Sequence, residues 1–192
     1  EFMVAAINNG GGFYRTEVYV HECRMAGGKI HNPCVNKSIL QATLYGEDVY
    51  LGLMHIEKLE AKIAQFIPEE RQKNGEYTSL ENFIKRVPIG IETLQILIFC
   101  GAFRFTGKQK NELLIEARLI MVNFKPQNRY LSFFEEPRKD YQLPQLKRNL
   151  FEDAFDEIEI LGFPVSCSPF DLLATKFRGD VMAKDLLEFH KK

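Results

Sequence analysis

The spacing of hydrophobic and polar positions predicts a chain built mainly from short helices. Apolar residues recur every three or four positions in several windows, and most of these windows end at a glycine or a proline. The predicted helices are residues 13–26, 59–73, 78–86, 91–100, 108–124 and 149–161, with a further amphipathic stretch at 181–189. Pro68 lies inside the second helix and predicts a kink or a break there. Thr78 and Glu81 have the spacing of a capping box for the third.

A β-hairpin is predicted between the first two helices. Residues 39–44 and 49–53 are rich in β-forming residues, and they flank the turn residues 45–48. After Pro126 no period is sustained through residue 146, and Pro137 and Pro144 interrupt the stretch, which predicts a linker. The expected fold class is therefore mainly α, with one small β-hairpin and a Pro-rich linker.

Composition and charge narrow the possible functions. Of the 192 residues, 45% are hydrophobic and 27% are charged, which is typical of a globular protein, and no apolar run approaches the ~18 residues of a membrane span. The formal charge of -1 argues against tight autonomous nucleic-acid binding. The charge is unevenly distributed, however: residues 100–130 hold six basic and two acidic residues, and residues 131–161 hold four basic and eight acidic residues. Any contact with DNA is therefore expected in the middle of the chain, although charge alone favours a solvated helical face.

Candidate catalytic chemistry is sparse. His21, Cys23, His31 and Cys34 could suggest zinc, but residues two apart on a helix point to different faces, so a shared ion is disfavoured. No nucleophile–base motif is found, and the glycines at 10–12 lack the lysine and hydroxyl of a phosphate loop. We expect no catalytic residue, no metal site and no cofactor in this chain.

Residues 51–118 carry the most informative pattern, short helices separated by tight turns. Two helices joined by a tight hairpin can direct backbone N–H groups and a helix N-terminus at a phosphate. Such contacts ignore base identity, so they suit a protein that holds any duplex and lets it slide.

Several segments then resemble, in order, the bacterial replicative DNA polymerase III alpha subunit family, the C-family polymerases. The matching segments are EFMVAA (1–6), HECRMAG (21–27), residues 29–38, YLGLMHI (50–56), LIFCGAF (97–103), residues 161–170 and AKDL (183–186). The resemblance covers nearly the whole chain. It implies that residues 1–55 form the C-terminal end of the fingers domain and that residues 56–125 form a tandem helix-hairpin-helix domain binding duplex DNA. Residues 126–192 would form a linker with a clamp-binding peptide and helices leading to an oligonucleotide-binding barrel.

The same resemblance implies function and partners. Family members perform nucleotidyl transfer with palm-domain aspartates that hold two magnesium ions, and those aspartates lie upstream of the matched segments. We therefore expect an inactive, cytoplasmic, non-membrane fragment with no cofactor of its own. Its expected partners are the template–primer duplex, the sliding clamp and other holoenzyme subunits. The alternative is a helical protein-interaction scaffold without DNA affinity.

The resemblance also implies site residues. The expected DNA-binding residues lie in two turns: Lys58, Lys62, Gly101, Arg104, Gly107, Lys108 and Lys110. In the first turn Lys58-Leu59-Glu60 replaces the usual Gly-h-Gly, so we expect the second turn to bind more strongly. Leu131, Phe133 and Phe134 occupy the position of the clamp-binding peptide, with Tyr130 in place of the usual glutamine. Without the resemblance, these aromatic residues would be expected to pack back on the domain.

Overall fold

A computed structural model describes residues 1–123 and 150–173. Its helices are α1 (Phe2–Asn8), α2 (Thr16–Met25), α3 (Ala61–Asn74), α4 (Leu80–Arg86), α5 (Ile91–Phe99), α6 (Lys110–Asn123) and α7 (Leu150–Leu161). Its strands are β1 (Lys29–His31), β2 (Thr43–Tyr45) and β3 (Asp48–Tyr50), and short 3-10 helices lie at Leu53–His55, Arg104–Thr106 and Pro169–Leu172. The mainly α prediction is confirmed. No helix in the described ranges is long and apolar enough to cross a membrane.

The β-structure is larger than the sequence predicts. β2 and β3 form the expected antiparallel hairpin, but β1 pairs in parallel with the other edge of β3, which gives the order β1-β3-β2. Ile30, Leu44 and Val49 lie in register, and Val49 is buried. A three-residue strand is too short to show an alternating pattern, so the sequence does not predict β1.

The predicted break at Pro68 is wrong, because α3 continues through this residue as one helix, with Ala64 and Ile67 of the preceding turn buried in the core. The predicted kink stays a prediction. The cap of α4 is Ser79, whose hydroxyl accepts a hydrogen bond from the Asn82 amide at 3.0 Å. Thr78 therefore lies one residue before the cap. The apolar residues near the N-terminus, for which the spacing predicts no element, form α1.

One hydrophobic core joins α1, α2 and the sheet to the four helices α3 to α6, which are called the hairpin helices below. α5 contributes Leu94, Leu97 and Ile98, all fully buried, and it packs against both α6 and α7. Edge-to-face contacts join Tyr77 to Phe83, at a centroid distance of 4.9 Å, and Phe83 to Phe103, at 5.0 Å. This core fixes α5 and therefore positions the turn that follows it.

Candidate nucleic-acid interface

The first turn connects the 3-10 helix Leu53–His55 to α3. Lys58 has φ 64°, the left-handed conformation that glycine adopts most easily, and no other non-glycine residue in the described ranges has a positive φ. Glu60 is the N-cap of α3, but its side chain makes no capping hydrogen bond. Residues 60–62 are exposed, and the first amides of α3 have no cap from the N-cap side chain.

The second turn connects α5 to α6. Gly101 has φ 80° and Gly107 has φ 72°, and a Cβ on Gly101 would come within 2.7 Å of Arg104 Nε. Two hydrogen bonds satisfy backbone amides just before α6: Gln109 N donates to Glu112 Oε2 at 3.0 Å and Lys108 N to Thr106 Oγ1 at 3.3 Å. Two backbone N–H groups of the second turn are therefore already hydrogen-bonded to side chains of the same chain.

α7 lies against both turns. The Glu57 amide, in the first turn, donates to the Ile160 carbonyl at 2.8 Å. In the second turn, Lys110 Nζ lies 3.1 Å from both Asp153 Oδ1 and Asp156 Oδ2. The hydrophobic core also holds α5 against α7, so the contacts of α7 with the two turns are part of the folded structure.

Glu157 of α7 is the centre of a buried polar network. Its side chain is fully buried and accepts hydrogen bonds from Asn32 Nδ2, the Val165 and Ser166 amides, and Arg104, at 2.7 to 2.8 Å. Burial alone would raise the pKa of Glu157, but these donors outweigh it and lower the pKa. A charged carboxylate is thus held beneath the second turn.

Asp156 has the opposite shift. Burial raises its pKa, although the neighbouring Lys110 lowers it in part and Asp153 adds like-charge repulsion. The α7 carboxylates beside the turn, Asp153 and Asp156, already surround the Lys110 ammonium. These carboxylates therefore do not fit a magnesium ion, and the described residues contain no group of three or more His, Cys, Asp or Glu that could hold a metal.

Sequence comparison relates this geometry to known proteins. Residues 27–113, which include both turns, match the helix-hairpin-helix motif family. The chain is 30% identical over 158 residues to the DNA polymerase III subunit alpha of Aquifex aeolicus, covering 79% of this chain and 13% of the relative. The chain is homologous to a segment of the DNA polymerase III alpha subunit.

Other relatives agree with this assignment. The alpha subunit of Borreliella burgdorferi is 27% identical over 191 residues, which is 89% of this chain and 16% of the relative. The error-prone DNA polymerase of Mycobacterium tuberculosis is 35% identical over 105 residues, which is 54% of this chain and 10% of the relative. The chain thus spans only a small part of the length of these relatives.

The structure pairs most of the predicted DNA-binding cations with carboxylates. Arg104 contacts Glu157 at 2.8 Å and Lys108 contacts Glu116 at 2.7 Å, in addition to the contacts of Lys110. Lys58 Nζ lies 3.6 Å from Glu159 Oε1. Lys62 is exposed and contacts no carboxylate within residues 1–123 and 150–173. The DNA-binding role of all these residues stays a prediction.

Of the two glycines predicted to bind DNA, Gly101 is buried and Gly107 is exposed. Leu131, Phe133 and Phe134 lie outside the described residues. Sequence reasoning missed the acidic residues of α7 as part of this surface. The excess of acidic residues at 131–161, next to the basic stretch, was the signal that could have indicated it.

Proposed function

We propose that this segment holds duplex DNA for a polymerase whose catalytic carboxylates lie elsewhere. The main support for this proposal is the match of residues 27–113 to the helix-hairpin-helix motif. The matched residues include both turns, and each turn leads into the N-terminus of a helix, α3 or α6. The relatives are named DNA polymerases, and a polymerase must hold a duplex of any sequence. Backbone amides and cations directed at phosphates meet that requirement.

The contacts support the first turn more than the second. The amides at the start of α3 have no side-chain cap, and Lys62 is exposed beside them. At the second turn, Lys110 is enclosed by two carboxylates and its side chain is 14% exposed. A phosphate could approach the first turn without displacing a buried group.

A charge reversal with a control on the same helix tests this function. Lys62 lies in the first turn of α3, and Lys73, also exposed, lies in its last turn. We expect Lys62→Glu to weaken binding to a short fluorescein-labelled duplex of random sequence, measured by anisotropy. The slope of log K against log salt should become shallower by about one for each phosphate that the variant no longer neutralises.

Lys73→Glu makes the same charge change at the opposite end of the helix, and we expect it to weaken binding much less. Equal reductions in affinity for the two variants would argue against the first turn as a phosphate site. The absence of duplex binding at low salt by the unmodified chain would refute the proposed function.

Clamp tethering is the second part of the proposal, and it rests on the peptide Tyr130–Phe134 alone. A short peptide that inserts Leu131, Phe133 and Phe134 into a hydrophobic pocket is a suitable anchor. We expect the double substitution of Phe133 and Phe134 by alanine to abolish capture of the chain by an immobilised sliding clamp. Substitution of Phe13, which is 91% exposed on the described surface, should leave capture unchanged and is the control.

We also propose that the chain has no polymerase activity of its own, and that magnesium is held in the palm of the complete enzyme. Primer extension by this chain alone in the presence of magnesium would refute this statement.

One structural observation favours the alternative function, a helical scaffold without DNA affinity. Four predicted DNA-binding cations are already paired with carboxylates of the same chain. The salt titration separates the two functions, because a scaffold would show no steep, sequence-independent dependence of duplex binding on salt.

A further inference from the structure

We infer that α7 is an intramolecular competitor for the DNA backbone, whose carboxylates occupy the cations of both hairpin turns and so reduce duplex affinity. This inference rests on the proposed function, since it concerns the same surface. Lys58 of the first turn and Arg104 and Lys110 at the second all pair with acidic residues of α7.

The α7 carboxylates differ in how firmly they are held. Glu157 is fully buried with four donors, and the Asp153 side chain is 12% exposed, so these two anchor the helix to the fold. The Asp156 side chain is 30% exposed and that of Glu159 is 74% exposed. Glu159 and its partner Lys58 therefore face solvent, whereas Asp156 reaches solvent only in part and its partner Lys110 is 14% exposed.

The exposed pair of Lys58 and Glu159 is of a kind that a polyanion can replace, and Asp156 is the more accessible of the two α7 carboxylates that contact Lys110. An exposed ion pair is worth up to about fivefold in an equilibrium constant, and salt weakens it further. A duplex presents a dense row of phosphates to the same cations. DNA phosphates would displace the two α7 carboxylates from their cations. Because the ion pairs must break first, the observed affinity for the duplex would be lower by the free energy of those pairs.

The position of α7 fits this role. Lys108 and Lys110 on one side and Asp153 and Asp156 on the other line a single open cleft between the second turn and α7. A phosphate entering this cleft to reach Lys110 would meet Asp156 at close range. Removal of the outer negative charges should therefore help a phosphate more than removal of the same charges elsewhere.

The test uses two double variants of the full chain. The first, Asp156→Asn with Glu159→Gln, removes the outer carboxylates of α7 and keeps the anchors Asp153 and Glu157. The control, Glu47→Gln with Glu76→Gln, removes two charges that form exposed ion pairs with Lys29 and Lys37, away from the turns. Both variants change the net charge by the same amount.

Duplex affinity is measured by anisotropy at about 50 mM and about 200 mM salt, with the short labelled duplex. We expect the α7 variant to bind between about twofold and tenfold more tightly than the unmodified chain. The control should change affinity by less than about twofold. Glu159→Gln alone, at a position 74% exposed, should fold normally and give a smaller increase in affinity.

The other outcomes overturn the inference in distinguishable ways. If the unmodified chain binds and both double variants bind more tightly by the same factor, net charge explains the increase and α7 is no competitor. If the chain binds and the α7 variant binds no more tightly, the α7 carboxylates do not limit binding. If none of the proteins binds a duplex at low salt, the proposed function fails and the inference fails with it.

Discussion

Replacement of Glu157 by glutamine should strongly destabilise the fold, although it removes only one charge and hardly changes the side-chain volume. Glu157 uses both of its oxygens as acceptors. Oε2 accepts from the Val165 and Ser166 amides at 2.7 Å each, and Oε1 accepts from Asn32 at 2.7 Å and from Arg104 at 2.8 Å. Glutamine keeps one acceptor oxygen, so whichever way it turns, two donors face its NH₂ group.

The magnitude follows from which donors are left without an acceptor. The Arg104 side chain is 44% exposed and can turn to water, so we expect glutamine to keep the two backbone amides and to direct its NH₂ group at Asn32 and Arg104. Asn32 is buried, and an unsatisfied buried donor costs about 1–3 kcal/mol. Removal of the charge from the remaining bonds adds to this cost, since hydrogen bonds to charged groups are worth about 1.5–3 kcal/mol. We expect the free energy of unfolding to fall by about 3 kcal/mol in total.

The assay is unfolding by urea and by heat, followed by circular dichroism. For a chain of this size about 3 kcal/mol corresponds to a fall of about 6–12 °C in the melting temperature. Glu159→Gln, two residues further along the same helix, removes an exposed carboxylate and should change stability by less than about 0.5 kcal/mol. A destabilisation below about 1 kcal/mol for Glu157→Gln would refute the reasoning from the buried network.

The remaining predictions concern acid stability and two local conformations. Because the pKa of folded Glu157 lies below its usual value of 4.5, the charged carboxylate stabilises the fold above that value, and this stabilisation disappears as the pH falls through the folded pKa. The free energy of unfolding of Glu157→Gln, measured by urea titration, should therefore fall less steeply than that of the unmodified chain between about pH 5 and pH 3. Lys58→Gly should raise the free energy of unfolding by about 0.5–1 kcal/mol, because it relieves the positive φ at the cost of one exposed ion pair; a lower stability would show that the left-handed conformation is not strained. Ser79→Ala should cost about 1 kcal/mol because it removes the cap of α4, and Thr78→Ala should cost less than half as much; the reverse order would place the cap at Thr78.

Most of the helices could be predicted from the sequence, because their own residues define them. The apolar spacing of α5 and α6 and the glycines at positions 101 and 107 predict both helices and the turn between them. The sequence places the cap of α4 one residue early because Thr78 and Ser79 are both suitable capping residues, and only backbone geometry decides between them. β1 depends on β3, from which it is separated along the chain, so its three residues carry little local signal.

The environment of the candidate interface could not be predicted, for a related reason. The sequence shows a basic stretch followed by an acidic one, and the pattern alone favours an exposed basic surface. Tertiary packing brings α7 against α5, and the two stretches neutralise each other through Lys110, Asp153 and Asp156. Whether opposite charges meet solvent or one another depends on contacts between distant residues, which a single sequence does not reveal.

The network around Glu157 also has a consequence for the order in which the chain folds. Asn32 and Glu157, which bond directly, are 125 positions apart. Such distant pairings slow folding, because a long loop must close before the contact forms. On a ribosome, Asn32 leaves the exit tunnel long before its acceptor has been synthesised. We therefore expect the N-terminal sheet and the hairpin helices to gain their final stability only when α7 has emerged and docked.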